Sequence, residues 1–107
     1  MVARRSVQIA RPIVRRYVRS LQAHRICLIN VYLFGSYVRG KPTEDSDIDV
    51  AVVSDDLSGD VIEDGLRLMR CRRDVDVRIE PHPFRPEDFT PDNPWAAEIM
   101  EMGIKIV

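Results

Sequence analysis

Apolar and polar positions alternate along this chain with two different periods, and the switches between them outline its elements. Ala10, Ile13, Val14, Tyr17, Val18 and Leu21 recur at i, i+3, i+4 spacing while Arg11, Arg15 and Arg19 take the opposite side, the pattern of an amphipathic helix. Pro12 suits a first turn, so the helix is expected from about Pro12 to His24, with Val2–Ile9 as a preceding helical turn or a loose arm. Leu28–Phe34 is apolar at nearly every position, as in a central strand buried on both faces. A turn from Pro42 to Ser46 leads into a second strand over Asp47–Val53. Ser58–Arg72 reads as a helix with Val61, Ile62, Leu66 and Met69 facing the core, acids early and arginines late.

The period then shortens to two. Val75, Val77 and Ile79 alternate with Asp74, Asp76, Arg78 and Glu80, which predicts a strand over Asp74–Glu80. Residues 81–94 hold five of the seven prolines and are expected to be irregular. Asp92 or Asn93 caps a last helix through Trp95–Met102, with Pro94 near its first position and Gly103 as its stop. Ile104–Val107 is left for a short final strand. Helix, strand, strand, helix, strand, helix is the order of a small α/β (α+β) domain with a mixed sheet flanked by helices, expected to occupy residues 1–107 as one unit.

Composition narrows the class without deciding it. Apolar residues make up 45% and charged residues 31% of the chain, as in ordinary soluble proteins. No apolar run approaches a membrane span, and the arginine-rich start lacks the apolar core of a signal peptide. Cys27 and Cys71 have no metal-like spacing, so a reducing, cytoplasmic setting with idle thiols is expected. The net charge of −1 conceals an asymmetry: residues 1–43 carry nine Arg/Lys and no acid, whereas 44–107 carry seven bases and seventeen acids. A basic half can meet a polyanion or an acidic partner, or simply sit in water. The one aromatic among Arg4, Arg5, Arg11, Arg15, Arg16 and Arg19 is Tyr17, which belongs to the apolar face, so direct nucleic-acid binding is not favoured.

The chemistry concentrates in Val31–Val50. The first strand ends in Gly35-Ser36, where a residue without a Cβ lets the backbone turn sharply and approach a ligand, and a serine opens a short helical turn with free N–H groups. Ten residues later Asp47 and Asp49 stand at strand spacing on one face, at the head of an apolar run that would screen their repulsion poorly. A divalent cation resolves that repulsion, and hard oxygen ligands suit Mg²⁺ bridging to phosphates. A third carboxylate would complete a two-metal arrangement; Asp76 in mid-strand is the candidate, and Asp74 on the same face is its rival. Gly35-Ser-Tyr-Val-Arg-Gly40-Lys41-Pro42 also approaches a phosphate-binding P-loop, but Pro42 has no hydroxyl for the metal and no long helix follows. His24 and His82 read as surface histidines, and Phe84, Phe89 and Trp95 as rings that pin the proline-rich segment to the core.

Together, Leu33-Phe-Gly-Ser36, Arg39-Gly40, Ser46-Asp-Ile-Asp-Val50, a later strand with an aspartate and the terminal Asn93-Pro-Trp…Glu98-Ile-Met…Gly103 segment resemble the nucleotidyltransferase superfamily typified by the palm of DNA polymerase beta. Most similar are the minimal nucleotidyltransferases, often paired with a HEPN-domain toxin. The resemblance implies that Gly35 and Ser36 hold a nucleotide's phosphates, that Asp47 and Asp49 ligate two Mg²⁺ ions with Asp76 as third carboxylate, and that Arg39 steadies phosphate. It also implies transfer of a nucleoside monophosphate, AMP from ATP, to a hydroxyl on a HEPN-type toxin, which makes the chain an antitoxin. A different class of reading is a binding module that neutralises its partner by contact alone. Nothing in the residues distinguishes ATP from CTP or GTP.

Overall fold

The computed structural model describes residues 2–40, 42–43 and 46–107, with side chains from Arg5 onward. Lys41 of the P-loop-like stretch, Glu44 and Asp45 of the turn before the second strand, and the side chain of Arg4 lie outside the described residues. Helix α1 spans Val2–Ala23, strand β1 Asn30–Phe34, the short helix α2 Ser36–Arg39, and strand β2 Ile48–Val53. Helix α3 follows at Val61–Cys71, strand β3 at Ile79–Phe84, helix α4 at Pro94–Met102 and strand β4 at Ile104–Lys105. The sheet has the order β3-β2-β1-β4; β1 runs antiparallel to β2 and β4, and β2 runs parallel to β3. The expected mixed sheet with flanking helices is the fold observed.

Two layers cover the sheet. On one face Val31, Leu33, Ile48, Val50, Val52 and Ile79 pack with α1, Tyr37 of α2, and Leu68 and Cys71 of α3. On the other, Ala51, Val53 and Phe84 pack with Ala96 and Ile99 of α4, joined by Tyr32, Phe34 and Phe89. Each strand thus feeds one core with odd positions and the other with even ones, because side chains alternate across a pleated sheet. The second core stops short of the start of β2 and β3, where charged residues take over the same face.

Three elements depart from the sequence-based expectation. Helix α1 does not begin at Pro12 but runs through it from Val2. Val7 and Ala10 continue its buried stripe, and the Ser6 hydroxyl donates to the Tyr37 carbonyl. Pro12 itself is exposed, as is Gln8 one turn earlier, and the helix carries the proline with one amide-to-carbonyl bond fewer.

Helix α3 turns out the face expected to be core. Val61, Ile62, Leu66 and Met69 are 71%, 77%, 54% and 40% exposed, while Asp64, Leu68 and Cys71 face inward. The Tyr17 hydroxyl donates to the Leu68 carbonyl at 2.7 Å and the Ser20 hydroxyl to the Cys71 carbonyl at 2.5 Å, tying that side of α3 to α1. Buried Asp64 is satisfied by the Ser58 amide at 2.8 Å, the Ser58 hydroxyl at 2.9 Å and the Gly59 amide at 2.9 Å. Burial alone would raise its pKa; these donors and Arg67 outweigh it and hold the carboxyl below the usual range. Asp64→Ala strands three donors and is expected to cost about 2–4 kcal/mol at neutral pH, read as a lower denaturation midpoint. Because the folded pKa is depressed, the wild-type advantage is complete above the usual carboxylate range and closes as pH falls through about 4 and below.

The third departure concerns β3. Instead of a strand over 74–80, the amides of Val75 and Asp76 bond back to the Arg72 carbonyl at 2.9 and 3.1 Å, forming a turn. The strand begins at Ile79 and runs through Pro81 and Pro83. Prolines are tolerated because β3 is an edge strand whose even-numbered residues face β2: Ile48 N–H donates to the Arg78 carbonyl at 2.8 Å and Ser54 N–H to the Phe84 carbonyl at 3.1 Å. The missing proline N–H groups therefore lie on the outer side, where no ladder bond is lost.

Candidate active site

The strand register assembles the site. Phe34 at the end of β1 pairs with Asp49 on β2, and Asp49 pairs with Glu80 on β3, so all three side chains share one face at one level of the sheet. His82, two residues beyond Glu80, continues that face. Its Nε2 lies 3.1 Å from Asp49 Oδ1. One ligand atom each from Asp49, Glu80 and His82 lie within 4.8 Å of one another, a spacing that a single cation bound at roughly 2.0–2.6 Å can bridge with small adjustments. Asp47 sits just ahead of β2, exposed, and its carboxyl reaches Glu80.

Gly35 closes the arrangement from the β1 side. Its φ of 81° is one that other residues avoid. A Cβ there would overlap Asp49 Oδ2 and come within 3.0 Å of Asp49 Cγ. The backbone of the turn thus lies directly against the carboxylate, and α2 starts from it with no side-chain cap on its first N–H groups. Ser36 opens that helix, and Arg39 ends it beside a cavity of about 270 Å³. The cavity lies between α2, with Val38 and Arg39, and α4, with Trp95, Glu98, Ile99 and Met102; Phe34, Gly35 and Asp49 complete its lining.

The crowding is visible in Glu80. Hydrogen bonding to Asp47, then burial, then the negative charge of Asp47 push its pKa above the ordinary carboxylate value, with Asp49 adding to the effect and His82 opposing it. Like charges this close favour a shared proton or a bound cation. Carboxylates on adjacent strands, an imidazole and a turn that brings backbone to the same point form a donor set suited to a divalent ion and a phosphate chain.

Of the two aspartates singled out in the sequence, Asp49 lies within the cluster with Glu80 and His82, and Asp47, exposed just ahead of β2, reaches the same group through Glu80. Asp76 and Asp74 are not brought to them. Asp76 lies on the turn before β3, where its carboxylate accepts from the Arg78 amide at 2.9 Å, Nε at 3.1 Å and Nη2 at 2.9 Å. The Arg78 side-chain hydrogen bond outweighs burial and holds the Asp76 pKa below its usual value. The carboxylate that lies beside Asp49 on the neighbouring strand is Glu80. His82 also belongs to the cluster instead of to open surface, held between Phe34 and Trp95 at ring distances of 5.2 and 5.4 Å. Its sequence signal was the period-two series Glu80-x-His82-x-Phe84, interrupted to the eye by Pro81 and Pro83. Phe84 and Phe89 do anchor the proline-rich segment, 5.1 Å apart.

A family model described as nucleotidyltransferase domain matches residues 12–89. The crystal structure of a Sulfolobus solfataricus protein assigned as a nucleotidyltransferase superposes with a TM-score of 0.64 at 17% identity, covering 98% of this chain and 86% of that one. A mutant form of the toxin-antitoxin MntA-HpeT superposes with a TM-score of 0.55 at 18% identity, covering 84% of this chain and 68% of that one. No curated protein matches the chain by sequence. The structural likenesses speak to the fold; the family match spans α1 from Pro12, the Gly35 turn, Asp47, Asp49, Glu80 and His82. The chain belongs to the nucleotidyltransferase domain family.

Proposed function

We propose that this nucleotidyltransferase moves a nucleoside monophosphate, AMP from Mg·ATP, to a hydroxyl on a partner protein, a HEPN-domain toxin that it thereby neutralises. The observation that carries the reading is the convergence of Asp49 and Glu80, with Asp47 beside them, against the Gly35 turn and the mouth of the adjoining cavity. The toxin–antitoxin assignment rests on the fold shared with MntA-HpeT.

In this reading Gly35 and Ser36 meet the triphosphate through backbone, and Arg39 neutralises phosphate charge. The nucleoside lies in the cavity between α2 and α4, against Phe34, Trp95 and Met102. Asp47, Asp49 and Glu80 hold the divalent ions, which when bound supply charge neutralisation at the phosphates and lower the pKa of the acceptor hydroxyl. The acceptor oxygen attacks the α-phosphorus in line, the bond from that phosphorus to the β-bridging oxygen breaks, and pyrophosphate leaves. The hydroxyl proton passes to Glu80, the carboxylate that stands beside Asp49 at the reacting centre. Catalysis then rests on positioning and electrostatics, with no covalent enzyme intermediate.

Incubation with Mg²⁺, the toxin partner and either α- or γ-labelled ATP tests this directly. Label is expected on the partner from the α position only, and none with Asp47→Ala or Asp49→Ala. Neutralisation that survives both substitutions, with no label transferred, would sink the enzymatic reading and establish contact neutralisation in its place.

A further inference from the structure

Resting on that reading of the site, we propose that His82 is itself a metal donor and that the pocket it completes selects a first-row transition-metal cation such as Mn²⁺ or Co²⁺ over Mg²⁺. The argument starts from where β3 sends its side chains. Glu80 and His82 are two residues apart on one strand and so flank Asp49 of the neighbouring strand from the same face. The ring nitrogen turned toward the carboxylates is Nε2, 3.1 Å from Asp49 Oδ1, and one donor atom from each of the three residues fits within a 4.8 Å span. A cation seated on Asp49 and Glu80 would take the place of the proton that Nε2 shares with Asp49 Oδ1, with the ring proton moving to Nδ1 and the Nε2 lone pair turned to the metal.

The imidazole is also held in place. Phe34 and Trp95 lie 5.2 and 5.4 Å from it, tilted and edge-on respectively, and His82 is half-buried between them. A donor already fixed in orientation loses little freedom on binding a metal.

Donor chemistry then sets the choice of ion. Mg²⁺ demands hard oxygen ligands in a near-ideal octahedron and keeps its waters. Imidazole is a better ligand for the later first-row divalent ions, whose affinity for nitrogen donors rises from Mn²⁺ to Cu²⁺. A site of carboxylates alone would bind Mg²⁺ and Mn²⁺ with little preference; one nitrogen among them tilts it toward the transition metals.

Equilibrium binding of Mg²⁺, Mn²⁺ and Co²⁺ to the full chain, by calorimetry and by the visible spectrum of bound Co²⁺, tests the assignment without reference to turnover. Wild-type protein is expected to bind Co²⁺ and Mn²⁺ at least roughly tenfold more tightly than Mg²⁺. His82→Gln, which keeps a polar side chain of similar reach but no imidazole, should lose about 10–100-fold in Co²⁺ and Mn²⁺ affinity, shift the Co²⁺ bands, and leave Mg²⁺ affinity within about threefold. Equal losses for all three ions, or no loss for any, would overturn the proposal, as would an unchanged Co²⁺ spectrum. Asp49→Ala should abolish binding of every ion. Label transfer by the wild-type chain together with Co²⁺ and Mn²⁺ affinities that do not respond to His82→Gln would defeat this inference and leave the proposed function standing. Co²⁺ bound through His82 without transfer from any nucleoside triphosphate would do the reverse.

Discussion

Glu80→Gln is expected to reduce nucleotidyl transfer by roughly a thousandfold, whereas Asp76→Asn should change it by less than about threefold. The first removes a charged oxygen ligand from the cluster around Asp49, and charge stabilisation at a metal-assisted phosphoryl transfer is worth several kcal/mol, with each 1.4 kcal/mol a factor of ten. The second alters a carboxylate that the structure commits to Arg78 through three hydrogen bonds. Initial rates with α-labelled ATP at saturating metal decide between the two acids. A crippled Asp76→Asn with a normal Glu80→Gln would restore the aspartate as third carboxylate.

The same substitution carries an opposite signature in stability. Glu80 has its pKa raised by Asp47, so its contribution to folding is complete below the ordinary carboxylate pKa and is lost as pH rises through the folded value. At neutral pH in EDTA, Glu80→Gln should therefore melt higher than wild type, and added divalent cation should reverse the order. A lower melting temperature in EDTA would show that the crowding is relieved some other way. Catalytic acids held together against their repulsion commonly lower the stability of the free fold.

Gly35→Ala is the second large effect. The alanine must adopt a φ of 81° or rotate the turn, and its methyl occupies the space of Asp49 Oδ2. Strain of about 1–3 kcal/mol is the smaller consequence. Either Asp49 leaves its position beside Glu80 and His82, or α2 swings away from the cavity; both separate the carboxylates from the Gly35 turn. Transfer should fall at least about a hundredfold, since misplacement by an ångström costs that much, and cation-dependent stabilisation should fall with it. Retention of metal binding with loss of transfer would locate the damage in the turn; retention of both would show that Asp49 has room the structure does not give it.

How much of this was legible beforehand followed from distance along the chain. Gly35, Ser36, Asp47 and Asp49 lie within fifteen residues, in and around the connection between two antiparallel strands, so local pairing of β1 with β2 brings Asp49 to the glycine turn. The third acid depends on the register of a parallel strand beyond an intervening helix, and local alternation at 74–80 mimicked a strand that the Arg72 turn pre-empts. Pro81 and Pro83 hid the true one, because a proline argues against a central strand but not against an edge. In α3 the inward side was chosen by Asp64 and its three loop donors. A buried carboxylate is invisible to a rule that counts apolar faces. Helix α1 passed through Pro12 because Val7, Ala10 and Ser6 add more packing and hydrogen bonding beyond the proline than its one missing bond removes.

The outward placement of Pro81 and Pro83 reaches beyond the register of β3. A sheet edge recruits another polypeptide by offering alternating donors and acceptors, and this edge has only acceptors at the two positions where prolines face out. The opposite edge, β4, is two residues long. Both borders of the sheet are thus poor templates for a strand from another chain, which guards against edge-to-edge aggregation. It also bears on the proposed transfer to a partner protein, because strand addition is then a poor way for that partner to dock. On that proposal the acceptor approaches the face that carries Asp49, Glu80 and His82, and side chains instead of a shared backbone ladder recognise it.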